Sequence, residues 1–161
     1  MPDIRIGVIT CSDTRSAGSA QDTAGPTLAH ACADRGWTVI GPVVIPDDRA
    51  SIAAEIVRMA DTEHCDIVLT TGGTGFGPRD VTPEATFDVC ERPAPGIAEA
   101  IRAGSMAVTR RAMLSRGAAA LRGHTLVINF PGSRKAAAES LEFVIDQFEH
   151  AVSMMAGGGH S

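Results

Sequence analysis

The chain has 161 residues, a formal net charge of −5, an apolar fraction of 44% and a mean hydropathy of +0.08. These values are typical of one globular α/β domain that is long enough to bury a substantial core. The acidic balance and the lack of a Lys/Arg-rich run argue against a nucleic-acid-binding protein, and no apolar run approaches the ~20 residues of a membrane span.

The N-terminal sequence enters an apolar run at once and lacks the pattern of a signal peptide. The four cysteines are widely spaced and form no Cys-x-x-Cys motif, so we expect reduced thiols that serve mainly in packing. Together these features predict a cytoplasmic protein. We expect one domain over residues 1–156 and a flexible tail at 157–161.

In chain order, the first half of the sequence predicts two strands and two helices. A buried strand at 4–10 leads into Ser12-Asp13 and a polar loop that reaches residue 18. A helix follows at 23–35, and then a strand at 37–45 that Gly41-Pro42 interrupts. After Pro46-Asp47-Asp48, apolar residues recur with the 3.6-residue period of another helix.

The second half continues the alternation with a strand at 67–71 and helices at 83–90 and 97–105. The segment 109–121 is hard to interpret, and we expect a short strand at 113–115 and a short helix at 117–122. A last buried strand at 125–129 precedes a long helix at 133–155. This alternation predicts a parallel sheet with helices on both faces.

Polar residues follow each predicted strand, in four loops that would meet at one edge of such a sheet. They are Ser12-Asp13, Pro46-Asp47, the segment 70–80, and the segment 129–133. Ligands of parallel α/β proteins bind at this edge. The sequence therefore predicts a site there.

The segment 70–80 contains four glycines, Gly72, Gly73, Gly75 and Gly77, followed by Arg79-Asp80. Such a loop offers backbone N–H groups to an anion, with an arginine for phosphate and a carboxylate for a metal. It is not a Walker A loop, because no lysine is near, and Pro78 rules out the Rossmann fingerprint. The alternative is a tight loop whose glycines serve the backbone alone.

Asp47 and Asp80 follow different strands and could meet around a hard cation such as Mg²⁺, which would orient a polyphosphate. The alternative for Asp47 is a helix cap, and for Asp80 a turn residue or a cap. Pro131-Gly132-Ser133 offers an anion site at a helix N-terminus, with a plain N-cap serine as its alternative. Serine-hydrolase and zinc motifs are absent from the sequence.

The segment TTGGTGFGPRDVTPEAT at 70–86 resembles the signature of the molybdopterin adenylyltransferases, the MogA/MoaB family, which includes the G domains of gephyrin and plant Cnx. The resemblance extends over nearly the whole chain through IRIGVITCSD, PDD, PGIAEAIR, MLSRGAAALRG and VINFPGS. It implies a three-layer α/β/α fold with a mainly parallel sheet and a homotrimer. The implied reaction moves AMP from ATP to the phosphate of molybdopterin, with Mg²⁺, and releases pyrophosphate.

The resemblance also implies roles for individual residues. Asp47 and Asp80 correspond to the catalytic carboxylates and are the proposed Mg²⁺ ligands. The expected nucleotide-phosphate contacts are Ser12, Asp13, Thr71, Gly72, Gly73, Thr74, Gly75 and Arg79. The expected molybdopterin contacts are Ser105, Ser115, Asn129, Pro131, Gly132 and Ser133.

The chain departs from many relatives at PGSR, where they have PGNP or PGQP, and at Phe76-Gly77. Two alternatives to the enzyme remain: a non-catalytic module that binds molybdopterin or acts as a scaffold, and the similar domain of molybdate-inserting enzymes. A molybdate-inserting enzyme is also an expected partner. Retention of Asp47 and Asp80 favours the enzyme.

Overall fold

A six-stranded sheet forms the middle layer of the computed structural model, which describes residues 3–158. Its strands are β1 (Arg5–Cys11), β2 (Thr38–Ile45), β3 (Ile67–Thr71), β4 (Arg92–Pro93), β5 (Ala119–Arg122) and β6 (Thr125–Phe130). They lie in the order β2-β1-β3-β6-β5-β4. The first four are parallel, whereas β5 runs antiparallel to β6 and β4 antiparallel to β5. The predicted mainly parallel sheet is confirmed.

Within residues 3–158, seven α-helices accompany the sheet: α1 (Asp13–Ser16), α2 (Ala24–Ala33), α3 (Arg49–Val57), α4 (Thr82–Val89), α5 (Pro95–Met106), α6 (Arg134–Glu142) and α7 (Phe148–Met155). A π turn at Arg58–Thr62 extends α3, and 3₁₀ turns lie at Arg110–Leu114 and Ile145–Gln147. No helix among residues 3–158 is long and apolar enough to cross a bilayer.

Alternating side chains of the central strands bury two separate cores, one on each face of the sheet. Ile67 and Leu69 of β3 pack in the core that includes residues of α2, α5, α6 and α7. Val68 lies in the other core, with residues of α3 and α4. Burying each such side chain contributes ~1.5–3 kcal/mol, so the strands are fixed in position and register. The protein therefore has the expected three layers.

The thiols are part of these cores. All four cysteines are free; Cys11, Cys32 and Cys65 are buried and Cys90 is partly buried. Cys32 packs in the core beside α2, whereas Cys11 and Cys65 pack in the core beside α3 and α4. The prediction of reduced packing cysteines is confirmed.

The expectation for 109–122 is wrong. The segment expected as a short strand, 113–115, instead forms the end of the 3₁₀ turn. At the start of that turn, the Thr109 side chain accepts a hydrogen bond from the Arg111 N–H. The segment expected as a short helix, 117–122, contains strand β5. Ala119 and Ala120 are buried and pair with Ile128 and Val127 of β6, so strand pairing overrides the helix propensity of alanine.

The C-terminal segment is also not one helix. The chain leaves helical geometry at Val144, whose φ is −129°, and resumes as α7 after the 3₁₀ turn. Val144 and Ile145 are a β-branched pair, which lowers helix propensity, and both are buried in the core. The break was invisible to periodicity because Leu141, Val144 and Phe148 keep helical spacing.

Smaller differences from the predicted elements concern one short helix, one edge strand and the C-terminal tail. Residues 13–16 form helix α1 rather than loop, because Ser12 Oγ accepts a hydrogen bond from the Arg15 N–H. The short edge strand β4 was not predicted. Of the expected tail, Gly157 and Gly158 bond back to the carbonyls of Met154 and Ser153, and 159–161 lie outside the described residues.

Candidate active site

The carboxyl ends of the parallel strands meet at one edge, where the predicted loops converge. The Asp13 N–H donates to Asp47 Oδ2 at 3.0 Å, and the Asp47 N–H donates to Asp13 Oδ1 at 3.0 Å. These two bonds join the loops after β1 and β2. The loops after β3 and β6 meet where the Gly72 N–H donates to the Phe130 carbonyl at 3.0 Å.

Arg79 connects the glycine-rich loop to the loop after β1. Its Nε and Nη2 each donate to a carboxylate oxygen of Asp13 at 3.0 Å. These bonds to Arg79, together with the bond from the Asp47 N–H, lower the pKa of the Asp13 carboxyl. Asp13 is therefore a fixed anion that orients Arg79.

Asp47 has the opposite electrostatic character. Its Oδ1 atom is buried and has no hydrogen-bond partner within residues 3–158. Burial raises the pKa of the Asp47 carboxyl, and the nearby charges of Asp13 and Asp80 raise it further, although the Asp13 N–H and Arg79 act against this shift. An unpaired carboxylate oxygen beside a second carboxylate is suited to a cation.

Gly72 and Gly73 are required by the backbone. Their φ angles are +97° and +71°, where side chains are disfavoured. A Cβ on Gly72 would lie 2.3 Å from the Cys11 carbonyl oxygen, and one on Gly73 would lie 2.2 Å from Thr82 Oγ1. The tight-loop alternative therefore accounts for these two glycines. It does not account for the N–H groups of Gly73 and residues 74–75, which make no hydrogen bond within the described chain.

The other two glycines make room for Asp80. A Cβ on Gly75 or on Gly77 would lie 2.9 Å from Asp80 Oδ2. The Gly77 N–H donates to that same oxygen at 2.9 Å, so this N–H group is engaged rather than available to a ligand. The loop thus wraps around the Asp80 carboxylate.

A cavity of about 450 Å³ opens beside the glycine-rich loop. It brings together five of the predicted binding residues, Thr74, Gly75, Ser105, Ser115 and Pro131. Its other walls are mostly apolar, with two arginines and a phenylalanine that is 70% exposed: Phe76, Ile101, Arg102, Thr109, Arg111, Ala112, Leu114 and Ala136. Its volume and mostly apolar lining are those of a small-molecule site, and the two arginines suit an anionic group.

Several other predicted residues lie at this edge but bond within the protein. Asn129 is buried; its Oδ1 accepts from the Ala118 N–H, and its Nδ2 donates to Thr70 and Thr86. Ser12 and Ser133 cap helices α1 and α6. Their contacts are compatible with a role in shaping the site.

Two further contacts tie the loops after β3 and β6 together. Thr71 Oγ1 donates to the Pro131 carbonyl at 2.6 Å. A Cβ on Gly132 would lie 3.2 Å from Gly72 Cα. The small residue at 132 therefore permits the two loops to touch.

Arg116 is the residue that the sequence analysis missed. Its backbone and guanidinium contact the carbonyls of Thr74, Gly75 and Asp80 and the carboxylate of Glu84. Its position directly after Ser115 was the one available signal, since no motif spacing marks an arginine that serves backbone carbonyls.

The donor atoms of this site suit a metal ion. Asp47 offers an unpaired buried oxygen, and Asp80 lies close enough to act on it electrostatically. No group of three or more His, Cys, Asp or Glu side chains among residues 3–158 could hold an ion alone. Mg²⁺ commonly takes one or two carboxylates and completes its shell with water and substrate phosphate oxygens.

Comparison with known proteins points to one family. The sequence model of the family described as "Probable molybdopterin binding domain" matches residues 7–150 of this chain. A molybdopterin adenylyltransferase of Helicobacter pylori is 36% identical over 162 residues, which cover 98% of this chain and 90% of that protein. The molybdenum cofactor synthesis protein cinnamon of Drosophila melanogaster is 40% identical over 157 residues, covering 96% of this chain. The chain spans 26% of the length of cinnamon.

A solved structure gives the same picture. The crystal structure of the molybdopterin biosynthesis enzyme MoaB from Thermus thermophilus matches with a TM-score of 0.90 and 40% identity. The match covers 98% of this chain and 99% of that one. The two chains therefore share one fold over almost their whole length.

Proposed function

Because this chain belongs to the molybdopterin-binding domain family, we propose that it is a molybdopterin adenylyltransferase of molybdenum-cofactor synthesis. The proposed reaction joins an oxygen of the molybdopterin phosphate to the α-phosphorus of ATP. The bond from that phosphorus to the β-phosphate bridging oxygen breaks, and pyrophosphate leaves. The observation that carries the proposal is the unpaired Asp47 Oδ1, which lies with Asp80 beside the cavity-lining loop.

The cavity is the proposed molybdopterin site. Ser105 and Ser115 supply hydroxyl groups in its wall, and Arg102 and Arg111 supply cations. Its apolar lining suits a pterin ring, and the arginines suit its phosphate. Asn129, Pro131, Gly132 and Ser133 support the wall on the side of β6.

The glycine-rich loop is the proposed nucleotide site. The unbonded N–H groups of residues 73–75 are available to phosphate oxygens, and Gly72 fixes the direction of the loop. Arg79, which Asp13 orients, places positive charge where negative charge develops during transfer. Thr71 and Ser12 hold the neighbouring backbone.

Asp47 and Asp80 are the proposed ligands of Mg²⁺. The ion, when bound, screens the polyphosphate and orients it for attack. Asp47 Oδ1 keeps its lone pairs for an ion because no group within residues 3–158 bonds to that oxygen. We also propose that the protein works in the cytoplasm as a homotrimer and passes its product to a molybdate-inserting enzyme.

The experiment that tests this function measures pyrophosphate release from molybdopterin, ATP and Mg²⁺. Asp80→Asn should lower the rate at least ~100-fold, because the amide loses the charge that holds the metal and phosphates. Removal of divalent ions with EDTA should have the same effect. Asp88→Asn, on an exposed acid of α4 paired with Arg49, is the matched control and should keep full activity.

Full activity in Asp80→Asn would contradict the proposed site. Tight molybdopterin binding without any pyrophosphate release by the wild-type chain would instead support the alternative, a non-catalytic module that binds molybdopterin or acts as a scaffold.

A further inference from the structure

Arg116 lies between the 3₁₀ turn at Arg110–Leu114 and strand β5, and it forms hydrogen bonds with four residues of the glycine-rich loop and α4. Its N–H donates to the Thr74 carbonyl at 2.7 Å, and its Nε donates to the Gly75 carbonyl at 2.8 Å. Its Nη2 donates to the Asp80 carbonyl at 2.8 Å, and its Nη1 to Glu84 Oε2 at 2.6 Å. One residue therefore contacts both ends of the loop.

These contacts join the cavity side of the loop to its Asp80 side. Residues 74 and 75 line the cavity side, whereas Asp80 carries the proposed metal-binding carboxylate. Between them, the loop has two internal hydrogen bonds, from the Asp80 N–H to the Gly77 carbonyl and from the Gly77 N–H to Asp80 Oδ2. Both lie within residues 77–80. Thr82 closes the base of the loop through bonds to the carbonyls of Gly72 and Gly73, whereas Arg116 is the residue that bonds to both Gly75 and Asp80.

The segment that carries Arg116 is itself held from the other side of the cavity. Arg102 of α5 donates from Nη1 to the Gly117 carbonyl at 2.6 Å and to the Ser115 carbonyl at 3.4 Å. The same helix carries Ser105, and Ser115 faces the cavity as well. Arg102 and Arg116 thus form a continuous connection from the cavity wall to the backbone of Asp80.

We propose that Arg116 is a positioning residue for adenylyl transfer, holding Asp80 and the N–H groups of residues 73–75 in register with the molybdopterin cavity. The proposal rests on the proposed function and specifies how its two half-sites are aligned. Reacting groups held ~1 Å out of place can lose ~100-fold in rate. A loop anchored at both ends to the cavity wall avoids that loss.

The geometry requires an arginine rather than any cation. The guanidinium reaches two carbonyls and a carboxylate with three different nitrogens, which a single ammonium group does not reproduce. The side chains of Arg116 and Glu84 are 34% and 38% exposed, so their ion pair contributes little to stability. The main effect of losing Arg116 should therefore fall on the alignment of the loop.

The test compares Arg116→Lys with Arg49→Lys. Arg49 also forms a bidentate ion pair with α4: its Nε and Nη2 donate to the two carboxylate oxygens of Asp88 at 2.7 and 2.8 Å. It has no bond to the glycine-rich loop. For Arg116→Lys we expect kcat for pyrophosphate release to fall ~100-fold and the Mg²⁺ concentration for half-maximal rate to rise. Molybdopterin affinity, measured by fluorescence titration, should change less than about twofold, because Arg116 does not itself line the cavity. Arg49→Lys should leave all three quantities unchanged.

Glu84→Gln is the second variant, in case Arg116→Lys fails to fold. It keeps the shape of the partner but removes its charge, so a smaller fall in kcat with unchanged molybdopterin affinity is expected. An unchanged kcat in folded Arg116→Lys, or in Glu84→Gln where the lysine variant does not fold, overturns the inference. A parallel fall in kcat, molybdopterin affinity and melting temperature also overturns it, because that pattern marks a merely structural residue. If the wild-type chain releases no pyrophosphate, the proposed function fails first and the inference falls with it.

Discussion

At the scale of single residues, Asp13 and Asp47 each donate a backbone N–H to the carboxylate of the other, yet their carboxylates have opposite electrostatic character. Arg79 lowers the pKa of Asp13, so its ionised form stabilises the fold above the ordinary pKa of about 3.8, and that stabilisation is lost as the pH falls. Burial raises the pKa of Asp47, so its ionised form is disfavoured in the folded protein. The ionised carboxylate of Asp47 therefore lowers the stability of the folded protein, and a bound cation would reduce this cost.

A stability measurement tests this reading of Asp47. With a raised folded pKa, the native state holds the proton more tightly, so the unfolding free energy falls as the pH rises through the interval above 3.8. Asp47→Asn should remove this penalty and raise the unfolding free energy at about pH 7 by less than about 1 kcal/mol, since the group is partly solvated. Urea unfolding should show the gain shrinking as the pH falls and vanishing below the ordinary pKa of about 3.8, where Asp47 is protonated in both states.

The same variant should lose pyrophosphate release, so stability and activity would move in opposite directions. A fall in the unfolding free energy of Asp47→Asn at neutral pH would contradict the proposal that burial of the ionised Asp47 carboxylate destabilises the protein.

The sequence indicated which residues lie together at the candidate site but not which contacts they make. Asp47, Asp80 and the glycines were recognisable because each follows a buried strand, and strand ends converge in parallel sheets. Arg116 was not, because its partners are backbone carbonyls, which sequence does not distinguish. Similarly, nothing in the sequence shows that Asn129 is saturated by Ala118, Thr70 and Thr86.

At the scale of elements, the loop after β3 is shaped by the crowding around Gly72. Its φ of +97° and the Cys11 carbonyl leave no space for a side chain. The carbonyls of Gly72 and Gly73 accept hydrogen bonds from the hydroxyl and N–H of Thr82, which begins α4. The turn and the start of the helix therefore form one unit.

Gly72→Ala should accordingly destabilise the protein by at least ~1–3 kcal/mol, through backbone strain and collision with the Cys11 carbonyl. Gly96→Ala is the matched control, because Gly96 lies in α5 with open space around its Cβ position. That change should be neutral or stabilising by up to ~1 kcal/mol. Chemical unfolding of both variants decides the matter, and equal effects would refute the crowding argument.

Elements rich in β-branched residues were predicted within one or two residues, as for β3 at Ile67–Thr71. The failures occurred where local preference and tertiary contacts disagree. Ala119 and Ala120 favour a helix locally but complete the sheet beside β6. At Val144 the apolar period continues while the backbone breaks, so the period alone could not reveal the 3₁₀ turn.

At the scale of the whole molecule, the alternation of strands and helices was sufficient to predict three layers and the edge at which the loops of the candidate site converge. The antiparallel pair β5 and β4 was beyond that argument, since β4 has two residues. The association of copies of the chain depends on surface side chains, which the alternation of strands and helices does not describe. Near the cavity, the apolar side chains of Met113 and Leu114 are 53% and 49% exposed.

The proposed homotrimer predicts a solution mass of about 50 kDa, three times the 16.7 kDa of one chain. Sedimentation equilibrium over a range of protein concentrations measures this mass directly. Closed symmetry predicts one species rather than a growing series of larger ones. A mass that stays at 16.7 kDa at all concentrations would exclude the trimer.

The reactivity of the buried cysteines reports how often the helical layers that cover them open. Burial raises the pKa of the Cys11 and Cys32 thiols to about 12, so almost none of either is the reactive thiolate at neutral pH. Modification by a thiol reagent must then wait for the surrounding layer to open. Because Cys32 lies under one helical layer and Cys11 under the other, their labelling rates would time the opening of each layer separately, without any engineered probe.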